Sequence, residues 1–228
     1  MKISFFGFCI AGLLVNCFSA KAQTQMLNDN QGKPVMEQNY IDVEGSPYLV
    51  PNWFPGKVSL VSGKTMLAKL KYDLIKDELL FQSPRDSLAL AFVEPVRSFS
   101  FDTFGILESN LLPLVFSSGY PAVDEQTPAS FYQVIADGKV KVLKRYKKII
   151  HSDQVFNSAT VTKTFALKDA VYYLLMNDNI ARIKPGSKVI LTALNDKAEK
   201  MQTYIKSAKV DYKSDTDLAK LFNYYNSL

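Results

Sequence analysis

His151 is the chain's sole histidine, so any imidazole-based metal centre or catalytic triad would rest on one side chain. Zinc generally needs three or four well-placed nitrogen, sulfur or carboxylate ligands. The two cysteines, Cys9 and Cys17, both fall in an N-terminal segment expected to be removed. The remaining chain then has no disulfide, no thiolate nucleophile and no cysteine ligand. His151 follows a strand-like run and reads as a structural or solvated residue, and no metal ligand or cofactor is assigned. Two facing carboxylates could still carry out hydrolysis across a cleft. Asp73, Asp77 and Glu78 cluster near one turn, and Asp124 and Glu125 near another. Solvated turn chemistry explains them more simply, so no residue is assigned a catalytic role. The chain contains no Gly-x-Ser-x-Gly elbow, phosphate loop, dinucleotide fingerprint or calcium loop.

Two other groups of residues could bind rather than react. Lys139, Lys141, Lys144, Arg145, Lys147 and Lys148 form a dense cationic run. On a strand, one parity carries Lys139, Lys141, Arg145 and Lys147 to one face, where a basic strip could meet anionic lipid or polysaccharide. The competing reading is that these cations cover an open sheet face and guard an edge against self-pairing. Tyr48, Trp53 and Phe54, among Pro51 and Pro55, form an aromatic lip in a loop-like stretch, suited to stacking on a sugar or a peptide. The net charge of +5, two units of which belong to Lys2 and Lys21, is too mild to single out nucleic acid as a partner.

The elements that must position these residues are mostly short strands. From Ile41, runs of β-branched and aromatic residues alternate with Gly, Pro, Asn and Asp, the pattern of an antiparallel β protein. Hairpins are expected around Ser62-Gly63, around Asp137-Gly138 between 131–136 and 139–150, and around 177–179 between Val171 and Ile183. Leu79–Phe81, Leu88–Phe92 and the stretch from Val96 supply further strands. Residues 102–130 read as a long loop holding one or two edge strands. The connections are too short for helical crossovers, so the strands should form a meander.

Past Pro185-Gly186 the period becomes helical. Ser187 is placed to cap a short helix, and Asp196/Glu199 and Ser214/Asp217 resemble capping boxes. Leu218, Leu221, Phe222 and Tyr225 fall on one helical stripe. The expected fold is therefore α+β: an antiparallel β-meander, as a curved sheet or partly open barrel, with C-terminal helices packed on it. The organisation expected is a leader over 1–22, a flexible lead over 23–40, a β region over 41–185 and a helical segment over 186–228.

Residues 1–22 have the layout of a secretory signal: Lys2, an apolar core from Phe5 to Phe18, then Ala20-Lys21-Ala22 before Gln23. At about 1.5 Å per residue that core is too short to span roughly 30 Å of hydrocarbon, and no transmembrane helix is expected elsewhere. A competing reading places a lipid anchor at Cys17, although Asn16 before it is larger than the small residue such processing prefers.

The signal ending at Ala22-Gln23, the phrase Lys71-Tyr72-Asp73, the Asp-Gly hairpin over 131–143 and the tail Tyr224-Tyr225-Asn226-Ser227-Leu228 give the chain its overall look. In these it resembles exported β-rich proteins of unassigned function common in Bacteroidota. The resemblance implies a periplasmic or secreted location in a Gram-negative envelope and transfers no activity. The function expected is a non-catalytic exported binding or scaffolding protein, its partner an envelope component, a glycan or another protein. The alternatives are a carboxylate-dependent hydrolase without a recognisable motif and a carrier of an apolar ligand.

Overall fold

Turn chemistry sets the hairpins. A computed structural model describes residues 25–26, 32–35, 40, 42–101, 114–154 and 161–228; the expected signal peptide, the lipid-anchor reading at Cys17 and part of the 102–130 loop lie outside them. Strand β4 (Phe54–Leu60) turns into β5 (Thr65–Asp73) through Gly63, whose φ of 88° suits a residue without a Cβ. β14 (Val171–Met176) turns into β15 (Asn179–Ile183) through Asn177 and Asp178, both with positive φ (51° and 59°), as a type I′ turn requires. β10 (Tyr132–Ala136) and β11 (Val140–Arg145) flank Asp137-Gly138. Asn226 clamps that hairpin from afar: its Oδ1 accepts from Val140 N and its Nδ2 donates to Val140 O, each at 2.9 Å.

The remaining strands are β1 (Gln25–Met26), β2 (Gly32–Pro34), β3 (Val43–Glu44), β6 (Glu78–Gln82), β7 (Ala89–Phe92), β8 (Val96–Phe101), β9 (Val115–Ser117), β12 (Lys148–Gln154) and β13 (Val161–Leu167). The main sheet runs β15-β14-β11-β10-β9-β8-β4-β5-β6-β7-β2, with β1 added beside β5. It ends on two different strands and stays open. The fold is α+β, with this mostly antiparallel sheet (β1 alone pairs in parallel among its described strands) and C-terminal helices packed on it. A smaller sheet, β12-β13-β3, stands apart.

Several expectations change in detail. The chain is not a simple meander: β8 crosses back to the free side of β4, and β14 returns beside β11 after the β12–β13 excursion. β9 is an interior strand between β8 and β10 rather than an edge. The expected strand 139–150 is two strands in two sheets, broken at Tyr146-Lys147. The described part of the expected flexible lead contributes β1 and β2, both paired into the main sheet.

The helices are α1 (Ser187–Ala193), α2 (Ala198–Ala208) and α3 (Asp215–Ser227). Ser187 does not cap α1: Gly186 holds the cap position without a side-chain bond. Asp196 does not cap α2 either; its carboxylate accepts from the Tyr225 hydroxyl at 3.0 Å. Ser214 does cap α3, its Oγ accepting from Asp217 N at 3.2 Å, while the Asp217 carboxylate reaches back to Asp211 N. The expected stripe Leu218, Leu221, Phe222 and Tyr225 is fully buried, and α3 packs on β10 and β11. Each such Leu or Phe contributes roughly 1.5–3 kcal/mol.

One row of cross-strand neighbours explains how the buried face is organised. Met66, Val58, Phe99, Phe116, Gln133, Lys144, Tyr172 and Ile183 stand opposite one another in turn, from β5 to β15. Residues directly opposite share a face. The row is apolar on the β4–β9 side, where Tyr72, Phe99, Phe116 and Phe131 pack ring against ring at 4.9–5.9 Å. It turns polar at Gln133 and Lys144, where the helices begin to cover it.

Candidate functional site

The β5–β6 turn is built by Asp73. Its Oδ1 accepts from Ile75 N (2.8 Å) and Lys76 N (3.0 Å), and its Oδ2 accepts from the Tyr40 hydroxyl (3.0 Å). A short carboxylate that satisfies the backbone two and three residues on is a common way to fix a turn. The turn ends at Asp77, in the left-handed region (φ 57°). Its carboxylate is thereby presented to the end of β11.

There Arg145 grips Asp77 with a two-pronged fork: Nη1 to Oδ1 and Nη2 to Oδ2, both 2.8 Å. Nη1 also donates to the Phe131 carbonyl at 2.8 Å and to the Tyr72 hydroxyl at 3.0 Å, and Tyr72 donates to Asp77 Oδ1 at 2.5 Å. The pair is mostly buried, with side-chain exposures of 11% for Arg145 and 19% for Asp77. Burial, then the Asp77 charge, push the Tyr72 hydroxyl well above its ordinary pKa, so it stays a neutral donor. Burial raises Tyr132 to about 12. Two polar atoms here are left without a partner: Arg145 Nε and the Tyr132 hydroxyl.

Beside this fork lies a cleft of about 360 Å³, edged by Lys76, Glu125, Gln126, Thr127, Ser130 and Lys147. Asp77 and Ala129 also line a second, more apolar cleft of about 470 Å³ that reaches Val61, Phe92 and Phe131. Asp77 therefore stands in the wall between the two. The loop on the far side is held by Tyr173, whose hydroxyl donates to Asp124 Oδ2 (2.9 Å) and Gln126 Oε1 (3.1 Å).

The cations expected to share one strip are dispersed. Lys139 is an exposed turn residue 3.8 Å from Asp196, and Lys141 pairs with Asp137 across the hairpin turn. Arg145 is buried in its fork. Lys147 is exposed and lies 3.1 Å from Glu125 at the cleft mouth. Only Arg145 and Lys147 meet at one place. Lys144, which shares a face with the helices, is buried against Asp215 at 2.5 Å, with the Tyr172 hydroxyl on the other oxygen at 2.8 Å. Lys148 donates to the Ser46 and Tyr48 carbonyls, and its burial lowers its pKa.

The aromatic lip folds down onto the sheet. Tyr48 and Trp53 rings hold the Lys71 ammonium between them, each centroid 4.7 Å away, and Phe54 packs against the aromatic core. They line neither cleft. His151 is exposed and faces Asp153 at 3.0 Å. Among the described residues no three His, Cys, Asp or Glu side chains converge as metal ligands.

Sequence reasoning missed both buried ion pairs. A signal was present: Val140, Val142 and Leu143 put apolar residues on both parities of β11, which implies that both faces are covered. Adjacent cations on such a strand must each be buried and must each find an acid. Among the described residues no helix is long and apolar enough to cross a membrane. Comparison with family models, with curated proteins and with solved structures finds no match.

Proposed function

We propose that this chain is an exported, non-catalytic binding protein of the cell envelope, and that the cleft beside the Arg145–Asp77 fork is its ligand site. The observation that carries this reading is the state of the cleft's acids. Asp77 is neutralised by a two-pronged guanidinium and a tyrosine hydroxyl, and Glu125 is paired with Lys147. A general acid and base need two carboxylates free to exchange protons with a substrate between them; Asp77 is committed to its buried fork, which leaves the exposed Glu125 as a single free acid in the cleft's lining. What it does offer is recognition chemistry: ammonium groups at Lys76 and Lys147, and hydroxyl and amide groups at Thr127, Ser130 and Gln126. That set suits an oxygen-rich anionic ligand, such as an acidic glycan. The apolar-carrier alternative has less support, because stacked rings fill the sheet's main core. The export half of the reading rests on the signal-like segment 1–22 and on the resemblance to exported proteins.

The test is calorimetric titration with acidic and neutral polysaccharides, run beside hydrolysis assays on the same polymers. Binding of acidic polymers without turnover, weakened in a Lys76→Gln/Lys147→Gln variant, is expected. Turnover abolished by Glu125→Gln in a folded protein would establish the hydrolase instead.

A further inference from the structure

The outermost strand of the helix-covered half has no strand partner along one side among the described residues. β15 pairs with β14 over its whole length, from Asn179 to Ile183, and has no other strand partner among the described residues. Its outer N–H and C=O groups form a template for one more strand. At the end of the β14–β15 pair lies a surface cleft of about 760 Å³, walled by Val171, Tyr172, Ile183, Pro185 and Tyr212. The Tyr212 hydroxyl is buried without a hydrogen-bond partner. Arg182, Lys184 and Lys213 stand around the cleft against one acid, Asp169. All three are exposed, and none enters an ion pair among the described residues.

Charge decides what can pair with this edge. A second copy docking antiparallel along β15 would add its own Arg182 and Lys184 to the same edge, doubling the cationic charge there, and like charges crowded along a ladder are unfavourable. A strand carrying acids reverses the sign of the same interaction. The cleft adds an apolar seat for one side chain next to the edge, which a bare ladder lacks. We propose that β15 and this cleft form a docking site for an extended acidic segment of another protein, added as a strand beside β15 with one apolar side chain set against Tyr172 and Ile183. The inference is independent of the cleft at Arg145.

The experiment titrates the full chain into a fluorescent octapeptide alternating glutamate and valine, with a lysine–valine octapeptide as control, and follows amide hydrogen exchange. The glutamate peptide should bind and slow exchange across 179–183. Arg182→Glu/Lys184→Glu, two exposed positions, should weaken it by about tenfold or more. Lys76→Gln/Lys147→Gln should leave it unchanged, so failure of the Arg145 cleft reading does not touch this one. Equal binding of both peptides, no binding of either, or protection elsewhere would overturn the proposal. So would dimerisation through 179–183 in the absence of peptide.

Discussion

Lys144 and Arg145 are neighbours on one strand, and both are buried against an aspartate about seventy residues away in sequence. Their surroundings differ. Lys144 faces the helices, and its partner Asp215 sits in the first turn of α3, where the helix N-terminus also favours a carboxylate. Both Asp215 oxygens are engaged and no atom of the pair is left over. Arg145 points to the opposite face, where its fork holds a turn rather than a helix. It keeps an unpartnered Nε, stands 5.9 Å from the Tyr132 ring, whose hydroxyl is also unpartnered, and borders an open polar cleft. Burial of a charge is thus no sign of function in itself. The incomplete partner set and the cleft beside it distinguish the second pair.

The largest expected effect is at the open pair. Arg145→Met leaves Asp77 buried without its cation and removes the donor to the Phe131 carbonyl and Tyr72. Breaking one side of a buried pair costs about 3–5 kcal/mol. Urea unfolding should show a loss in that range, and adding Asp77→Asn should recover part of it. A loss below about 1 kcal/mol would mean that water already serves Asp77. Each aspartate keeps a tyrosine hydroxyl, but Asp215 also keeps the α3 N-terminus, so Lys144→Met should cost less, about 1–3 kcal/mol. Equal losses at the two sites would break the comparison.

Alkaline pH probes both pairs together. Burial raises Tyr72 and Tyr132 near the fork, and burial with the Asp215 bond raises Tyr172 to about 12. Lys144 is raised as well: burial opposes its charge, but the Asp215 bond and the electrostatic pull of Tyr146, Asp215 and Tyr172 together outweigh it. A raised pKa means that the native state keeps a proton the unfolded chain releases. The stabilisation is therefore complete below about pH 10 and lost as pH rises through the native values. Unfolding free energy should fall from about pH 10 to 12, and a flat profile over that window would contradict the buried, neutral tyrosines.

Local parts of this architecture were legible in the sequence, and the pairings were not. Ser62-Gly63, Asp137-Gly138 and Asn177-Asp178 announce their turns because the backbone angles they need are written in the turn residues themselves. The α3 stripe and the Ser214 cap are local for the same reason. Lys144-Arg145-Tyr146-Lys147-Lys148, by contrast, reads as one cationic run. Its division between two sheets and two buried pairs depends on Asp77 and Asp215, whose approach no spacing encodes. The Asp196 cap failed because Tyr225, a core residue of another helix, offered that carboxylate a tertiary partner. Removing the Ser214 cap, which has no such competitor, should cost about 1 kcal/mol in Ser214→Ala.

The smallest expected effect on stability is the most useful for function. Lys147 and Glu125 form an ion pair at the cleft mouth with side chains 53% and 80% exposed. Such pairs gain little, because water and salt screen them and two long side chains must be held still. Lys147→Gln should therefore change unfolding free energy by less than about 0.5 kcal/mol. The same substitution removes an ammonium from the cleft where the fork and the cationic run meet, so binding of acidic polysaccharide should weaken and its salt dependence become shallower. Arg145→Met cannot make this separation, because it alters the cleft and the fold together. If Lys147→Gln left acidic-ligand binding untouched in a protein of unchanged stability, the Arg145–Asp77 fork would be a tether for the β5–β6 turn, equivalent in kind to the pair at Lys144.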